Sequence, residues 1–360
     1  MDSVTNFIRA MPKCELHLHI EGYSLGVYLL TAGTLSPELL LRLAVKNKIA
    51  LPSIYSSLPA LKQRYENFSD LQDFLNFYYQ GIDVLQDESD YEELAYDYFR
   101  HAYSDGIHHA ELFFDIQTHT SRSISSHTVV NGLLRGFRRA KQTFGISSDL
   151  IVCFVRHEDE ASALKEFLWL EQYFASGEII GIGLDSAELP HPPENFAQLY
   201  LEADKRGLRK CAHAGEEGPP QYVRTVINHL KVHRVDHGIR SIEDEELCKE
   251  LARRKIPLTV CPLSNVKLQC IPSMNHSPIP RLLEYGIVVT INSDDPAYFG
   301  GYLLDNMIAL QDAFGWDVKV WETLCLNGIE ASFCSNERKE ELKSLLNDSV
   351  DTHRTLRKHL

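Results

Sequence analysis

Eight short apolar runs, separated by amphipathic stretches, constrain this chain more than any other feature. They read CELHLHI (14–20), IHHAELFF (107–114), DLIVCFV (149–155), IIGIGLD (179–185), LRKCAHA (208–214), VHRVDHG (232–238), IPLTVCP (256–262) and IVVTINSD (287–294). Many of their residues are β-branched, the composition of parallel strands buried on both faces. Helical patterns such as HTVVNGLLRGFRRAKQTFG and EDEELCKELARRK lie between most of them. Eight strands with helical crossovers predict a (β/α)8 barrel of the α/β class. Seven strands with an extra hairpin fit the periodicity nearly as well. A chain of 360 residues could hold two domains, but barrels of this size run as one, so residues 1–360 are expected to form a single domain. The interval between the first two runs is too long for one helix. Its segments LSPELLLRLAVKN, LPALKQRY and FSDLQDFLNFYYQGIDVL predict extra helices, within roughly residues 35–100, packed over the barrel mouth as a lid. From Trp316 onward the chain reads as capping helices.

In a strand, residues i and i+2 share a face, so His17 and His19 point together into the barrel while Leu16, Leu18 and Ile20 face the helices. The pair alone decides little. With 16 histidines in 360 residues, chance supplies roughly 0.7 such H-x-H matches, and two hydrogen-bonded core histidines would explain it. Their company changes the reading. His213 ends the fifth run in AHAGEEGPP, His237 ends the sixth in RVDHG, and Asp294 and Asp295 end the eighth in INSDDPAYFGG. Strand C-termini converge on the mouth of such a barrel. Charges buried there are costly unless paired or metal-bound. Imidazole suits zinc, and a carboxylate can complete the ligand set. Three histidines and one aspartate leave room for a water, whose pKa zinc lowers toward about 7. A general acid or base is then expected beside it. Glu216, three residues after His213, and His237 are the candidates.

Other function classes find little support. A net charge of −14 with no long Lys/Arg run argues against a nucleic-acid partner. No apolar run approaches the roughly 18 residues of a membrane span, and MDSVTNFIRAMPK lacks the apolar core of a signal peptide. The eight cysteines include no CxxC and read as reduced thiols of a cytosolic protein. The cytoplasm is the expected location, with the nucleus also open to a eukaryotic protein. HExxH is absent, and His19-x-Glu21 has no PCxxC to go with it. GIG at 181–183 lacks the third glycine of a dinucleotide loop.

Taken together, MPKCELHLHIEG, HAGEEGP, RVDHGI, CPLSN and NSDDPAYFGGY resemble, in order and over nearly the whole chain, the adenosine/adenine deaminase family of metal-dependent hydrolases. The resemblance implies a (β/α)8 barrel with one zinc ion per chain and hydrolytic loss of ammonia from C6 of a 6-aminopurine. It assigns His17, His19, His213 and Asp294 to the zinc. It makes Glu216 the proton donor to purine N1, His237 the group that orients or deprotonates the attacking water, and Asp295 the partner of N7. Glu216 must then start protonated, which burial or nearby negative charge can arrange. The implied partners are a small purine base and water. The implied role is purine salvage.

Within that family the chain looks like the fungal-type adenine deaminase branch. Where adenosine deaminases resemble a D-L-A-G turn, it has GLDSAELPHPP, with Glu188 at the glycine's place. Free adenine carries an N–H on its imidazole edge that adenosine lacks. A carboxylate there would accept that N–H and crowd a ribose, so Glu188 is expected to select the free base. The alternative is a helix-capping or surface carboxylate. Phe68 and Leu71, in YENFSDLQDFL, are candidates to cover the base, with core packing an equal reading. One departure stands out. The family pattern runs directly from HxHxEG to TLSPELL, whereas here YSLGVYLLTAG (23–33) separates Gly22 from Thr34. A tolerated loop, a lid that narrows the mouth and an error in the gene model all fit. Adenosine and N6-substituted adenines remain alternative substrates. A metal-binding protein inactivated by the 23–33 insertion is the non-enzymatic alternative.

Overall fold

The computed structural model describes residues 3–21, 35–51, 57, 59 and 81–357. Each of the eight apolar runs contributes one strand: β1 (Lys13–Glu15), β2 (Ile107–Asp115), β3 (Ser147–Val155), β4 (Gly181–Asp185), β5 (Arg209–Ala214), β6 (Arg234–His237), β7 (Leu258–Val260) and β8 (Val289–Ile291). Neighbours pair in parallel and in chain order. This is the (β/α)8 barrel, and the alternative of seven strands with a hairpin falls away.

The ring closes at the mouth. Asp294 N–H donates to the His17 carbonyl at 3.1 Å, and His19 N–H donates to the Asp294 carbonyl at 3.0 Å. On its other side the same segment exchanges bonds with β2, Phe113 N–H to Leu18 O at 2.8 Å and Ile20 N–H to Phe113 O at 2.9 Å. His17–Ile20 therefore keeps strand-like pairing past the end of β1. The regular ladder stops at Glu15 because Leu16 N–H is taken by the Asn292 side chain, at 2.8 Å.

Alternation sorts the side chains. Leu112, Phe114, Val152, Phe154, Ile182, Leu184, Ala212, Val235, Leu258 and Val289 face outward into the main core between barrel and helices. Phe113, Ile151, Cys153 and Cys211 face inward as a small separate cluster. Gly183 sits where any side chain would strike the Cys153 sulfur. Below this layer, Arg234 reaches across to Glu111, and His109 bonds Glu111 at 3.1 Å. Phe333, from the C-terminal segment, closes that end, with the Arg234 guanidinium 3.9 Å above its ring.

The outer helices follow local signals. Asp87 forms a capping box at the start of helix Glu88–Ser104, and Gly145 ends helix Ser126–Phe144 at φ +71°. These two helices pack closely because Gly132 and Gly136 present no side chain. A Cβ on Gly132 would lie 2.5 Å from Glu88 O, and one on Gly136 2.5 Å from Ala95 Cβ. Of the expected lid, helix Pro37–Asn47 forms under a Ser36 cap. Most of LPALKQRY and FSDLQDFLNFYYQGIDVL, with Phe68 and Leu71, lies outside the described residues, as does 23–33. The expected capping helices are Val318–Ala331 and Asn336–Arg357. The first is tied to the chain entering β1 by a Cys325 S–H to Pro12 O bond of 2.9 Å. Among the described residues, no helix is long and apolar enough to cross a membrane.

Candidate active site

At the mouth the alternation is deliberately broken. Val235 faces the helices and Asp236 the interior, so strict alternation would aim His237 outward. A φ of +59° turns it into the mouth instead. Asp294 adopts φ +67°, which brings its neighbour Asp295 into the same space. Such backbone costs a non-glycine residue on the order of 1 kcal/mol or more and persists where surrounding structure enforces it. At Asp294 the bonds to His17 and His19 do so.

The expected ligands meet. Nε2 of His19 lies 3.2 Å from Nε2 of His213. Asp294 Oδ1 is 3.3 Å from His17 Nε2 and 3.7 Å from His19 Nε2. One ligand atom from each of His17, His213, His237 and Asp294 falls within a group spanning no more than 4.8 Å. All five side chains are buried, with His19 the most accessible at 7 %. Ligand atoms about 2.0–2.1 Å from a tetrahedral zinc stand about 3.3–3.4 Å apart. The His19–His213 and His17–Asp294 separations match those edges and the His19–Asp294 separation is a few tenths of an ångström longer, so the residue types and their spacing suit such an ion.

The opposite edges of the imidazoles confirm the orientation. His17 Nδ1 meets the Thr259 hydroxyl at 2.9 Å, and that hydroxyl donates to Asp236 Oδ1 at 2.9 Å. Asp236 Oδ2 is 3.6 Å from His213 Nδ1. His19 Nδ1 faces Asp185 Oδ2 at 3.5 Å and Asp115 Oδ1 at 3.9 Å. His17, His19 and His213 thus each have a carboxylate behind Nδ1, directly or through Thr259, which leaves Nε2 for a metal. Burial, with the neighbouring imidazoles, holds His213 well below its usual pKa and so in the neutral, ligating form. Burial would raise Asp294, but its bond to His17 and the nearby imidazoles outweigh this and keep it ionised.

Beside the cluster stands an acid and base pair. Glu216 Oε2 is 3.6 Å from His237 Nε2. Asn265 reaches both, 3.4 Å from Glu216 Oε1 and 3.4 Å from His237 Nδ1. Burial, reinforced by the charges of Asp294, Glu188, Glu217 and Asp295, pushes the Glu216 carboxyl well above its ordinary range. His237 is driven the other way. Burial, aided by His17 and His19 and opposed by Asp294, lowers it to about 3. At neutral pH the pair is a protonated carboxyl next to a neutral imidazole, one group ready to give a proton and one ready to take it. Asp295 is likewise raised. Burial drives this, His19 opposes it, and Asp294, Asp115 and Glu21 add to it. Among the described residues, its buried Oδ1 has no hydrogen-bond partner.

A cluster of candidate metal ligands, an acid and a base at the C-terminal mouth of a barrel fit a hydrolase, and one comparison decides which kind. The adenosine deaminase family model matches residues 12–349. The chain belongs to the adenosine deaminase family. A protein named adenine deaminase, from Aspergillus fumigatus, is 44 % identical over 355 residues, covering 97 % of each chain. The crystal structure of an adenine deaminase from Arthrobacter aurescens superposes with a TM-score of 0.89 at 43 % identity, covering 95 % of this chain and 100 % of that one. An amidohydrolase from Burkholderia ambifaria, solved with bound zinc, superposes with a TM-score of 0.85 at 25 % identity, covering 99 % and 96 %.

Of the expected site residues, His17, His19, His213, Asp294, Glu216, His237 and Asp295 lie together at this family's mouth. Glu188 is buried close by, but both its oxygens accept from backbone. Oε2 takes Gly215 N–H at 2.9 Å, and Oε1 takes Glu216 N–H at 2.7 Å and Glu217 N–H at 3.3 Å. Its carboxylate is committed to the protein's own chain. Phe68 is outside the described residues. Asp236, Thr259, Asn265 and Arg156 were not singled out from the sequence. Asp236 was within reach, since alternation in RVDHG aims it inward beside Arg234. Asn265 lay in the quoted CPLSN without an evident role.

Proposed function

We propose that this chain catalyses the hydrolytic deamination of adenine to hypoxanthine and ammonia, with one zinc ion held by His17, His19, His213 and Asp294. The observation that carries the reading is the approach of Glu216 to His237, 3.6 Å, against the metal-ligating cluster. The relatives named adenine deaminase support the substrate, and the zinc-bound amidohydrolase supports the ion. When bound, zinc supplies a water acidified toward about pKa 7. His237, neutral, takes a proton from the attacking water. Glu216 gives its proton to N1 as the C6–O bond forms, so negative charge does not build up on the ring. The C6 hydroxyl then returns a proton to Glu216, His237 gives its proton to the amino group, and the C6–N bond breaks to release ammonia. A protonated Asp295 presents an O–H to N7. Residues 1–360 are read as one catalytic domain.

The test is ammonia release from adenine and from adenosine on the zinc-loaded protein, with the ultraviolet absorbance of the purine followed in parallel. Adenine turnover far above adenosine is expected. E216Q is expected to lose about 10²–10⁴-fold in kcat with zinc content unchanged. Preference for adenosine would overturn the substrate assignment. Absence of turnover with either would favour a metal-binding protein without activity.

A further inference from the structure

The segment that links metal ligand His213 to Glu216 is a turn whose carbonyls at 213, 214 and 215 and N–H groups at 215, 216 and 217 are all engaged, and two of its partners are buried side chains of opposite charge. Arg156, which follows β3, donates from Nη1 to the His213 carbonyl at 2.8 Å and from Nε to the His191 carbonyl at 2.9 Å. Glu188, on the loop after β4, accepts from the N–H groups of Gly215, Glu216 and Glu217. His191 N–H bonds Glu188 O at 2.8 Å, so Arg156 also grips the short turn that carries Glu188. Both side chains are 1 % exposed. Three successive N–H groups converging on one point make a concavity for an anion. Here the chain fills it with its own carboxylate. Gly218 leaves the space: any Cβ there would collide with Glu188 and stand 2.5 Å from Tyr222 Cδ2. On the far side, Gly238 N–H bonds Ala214 O at 3.1 Å and Arg240 N–H bonds Gly215 O at 2.8 Å.

We infer that Arg156 and Glu188 are positioning residues that act together as a clamp on the 213–217 turn, setting Glu216 at a fixed distance from the metal ligands. This rests on the proton-donor role read for Glu216 above. Arg156 fixes where the turn begins, at the carbonyl of the ligand. Glu188 fixes its path through residue 216 itself. Glu188 therefore serves the reaction through the acid it holds, and free-base selection falls to other groups.

The experiment compares wild type, E188Q, R156K and the E188Q/R156K double variant. Each is assayed for kcat and KM with adenine and with adenosine, for zinc content by elemental analysis and for thermal melting. Glutamine keeps one accepting oxygen and lysine one positively charged donor nitrogen, so each single variant is expected to fold and bind zinc. Each is expected to lose about 10–100-fold in kcat. KM is expected to stay within about threefold, because substrate contacts are untouched. The adenine-to-adenosine preference is expected to stay unchanged. The double variant is expected to lose less than the product of the singles, because both act on one turn. Wild-type kcat in E188Q would overturn the clamp. So would a shift of preference toward adenosine, which would place Glu188 against substrate, or losses that simply multiply. Should E188Q not accumulate as folded protein, G218A carries the test, since its Cβ displaces the Glu188 carboxylate and the same kcat loss is expected. Turnover by wild type separates failure of the clamp from failure of the proposed function.

Discussion

Asp236 shows how much of this site depends on residues that never touch a substrate. Its two oxygens stand behind two ligands, Oδ1 through Thr259 to His17 and Oδ2 beside His213. A carboxylate in that place fixes the tautomer and ring angle and raises the basicity of Nε2. D236N keeps the shape and removes the charge. It is expected to weaken zinc binding by about 10–100-fold, read as the chelator concentration needed to strip the metal. Unchanged chelator resistance would show that backbone geometry alone orients the two rings. In the sequence Asp236 is an unremarkable acid beside a histidine. Only the cross-strand partners on the first, fifth and seventh strands reveal its reach.

At the scale of elements, helix Glu88–Ser104 is capped by Asp87 at its start and carries a titratable side chain near its end. Near its C-terminal end His101 is buried, stacked on Tyr302 with ring centroids 4.7 Å apart. Burial, with the charge of Arg100, lowers its pKa to about 4. In the unfolded chain the same group titrates near 6.5. Between these values the unfolded state binds more protons, so stability is complete above pH 6.5 and falls as pH drops toward 4. The expected loss from pH 7 to pH 5 is about 2 kcal/mol. Urea unfolding at the two pH values reads it, and H101F, which keeps a ring and cannot titrate, is expected to remove most of the difference. An equal loss in H101F would assign the acid sensitivity to other groups.

For the whole molecule, the metal site and the closure of the barrel are one structure. The backbone bonds that join the first and last strands belong to His17, His19 and Asp294. An ion that these side chains hold also ties the two ends of the sheet together. A ligand that binds only the folded state stabilises it by about 2.7 kcal/mol at a hundred times its Kd. Chelation is therefore expected to lower Tm by several degrees and zinc to restore it. D294N is expected to lose most of that zinc-dependent shift. A Tm that does not respond to chelation in the wild type would uncouple the site from barrel closure.

The barrel and its candidate metal ligands were legible because their signals are local. Strand runs of the right length, alternation that aims His17 and His19 inward, and polar residues at strand ends all follow from periods of two and from burial cost. Seven residues, placed at strand ends by those patterns and given roles by the family resemblance, lie together at the mouth. What the sequence could not decide depends on contacts between segments far apart in the chain. His237 departs from alternation because its backbone turns left-handed, and that conformation is enforced by the fold around it. Glu188 carried the mark of a substrate-facing carboxylate, yet in the structure its oxygens bond the turn after the fifth strand. A side chain's residue type fixes which hydrogen bonds it can make. Which partner it meets is set by the register of strands and loops that only tertiary packing brings together.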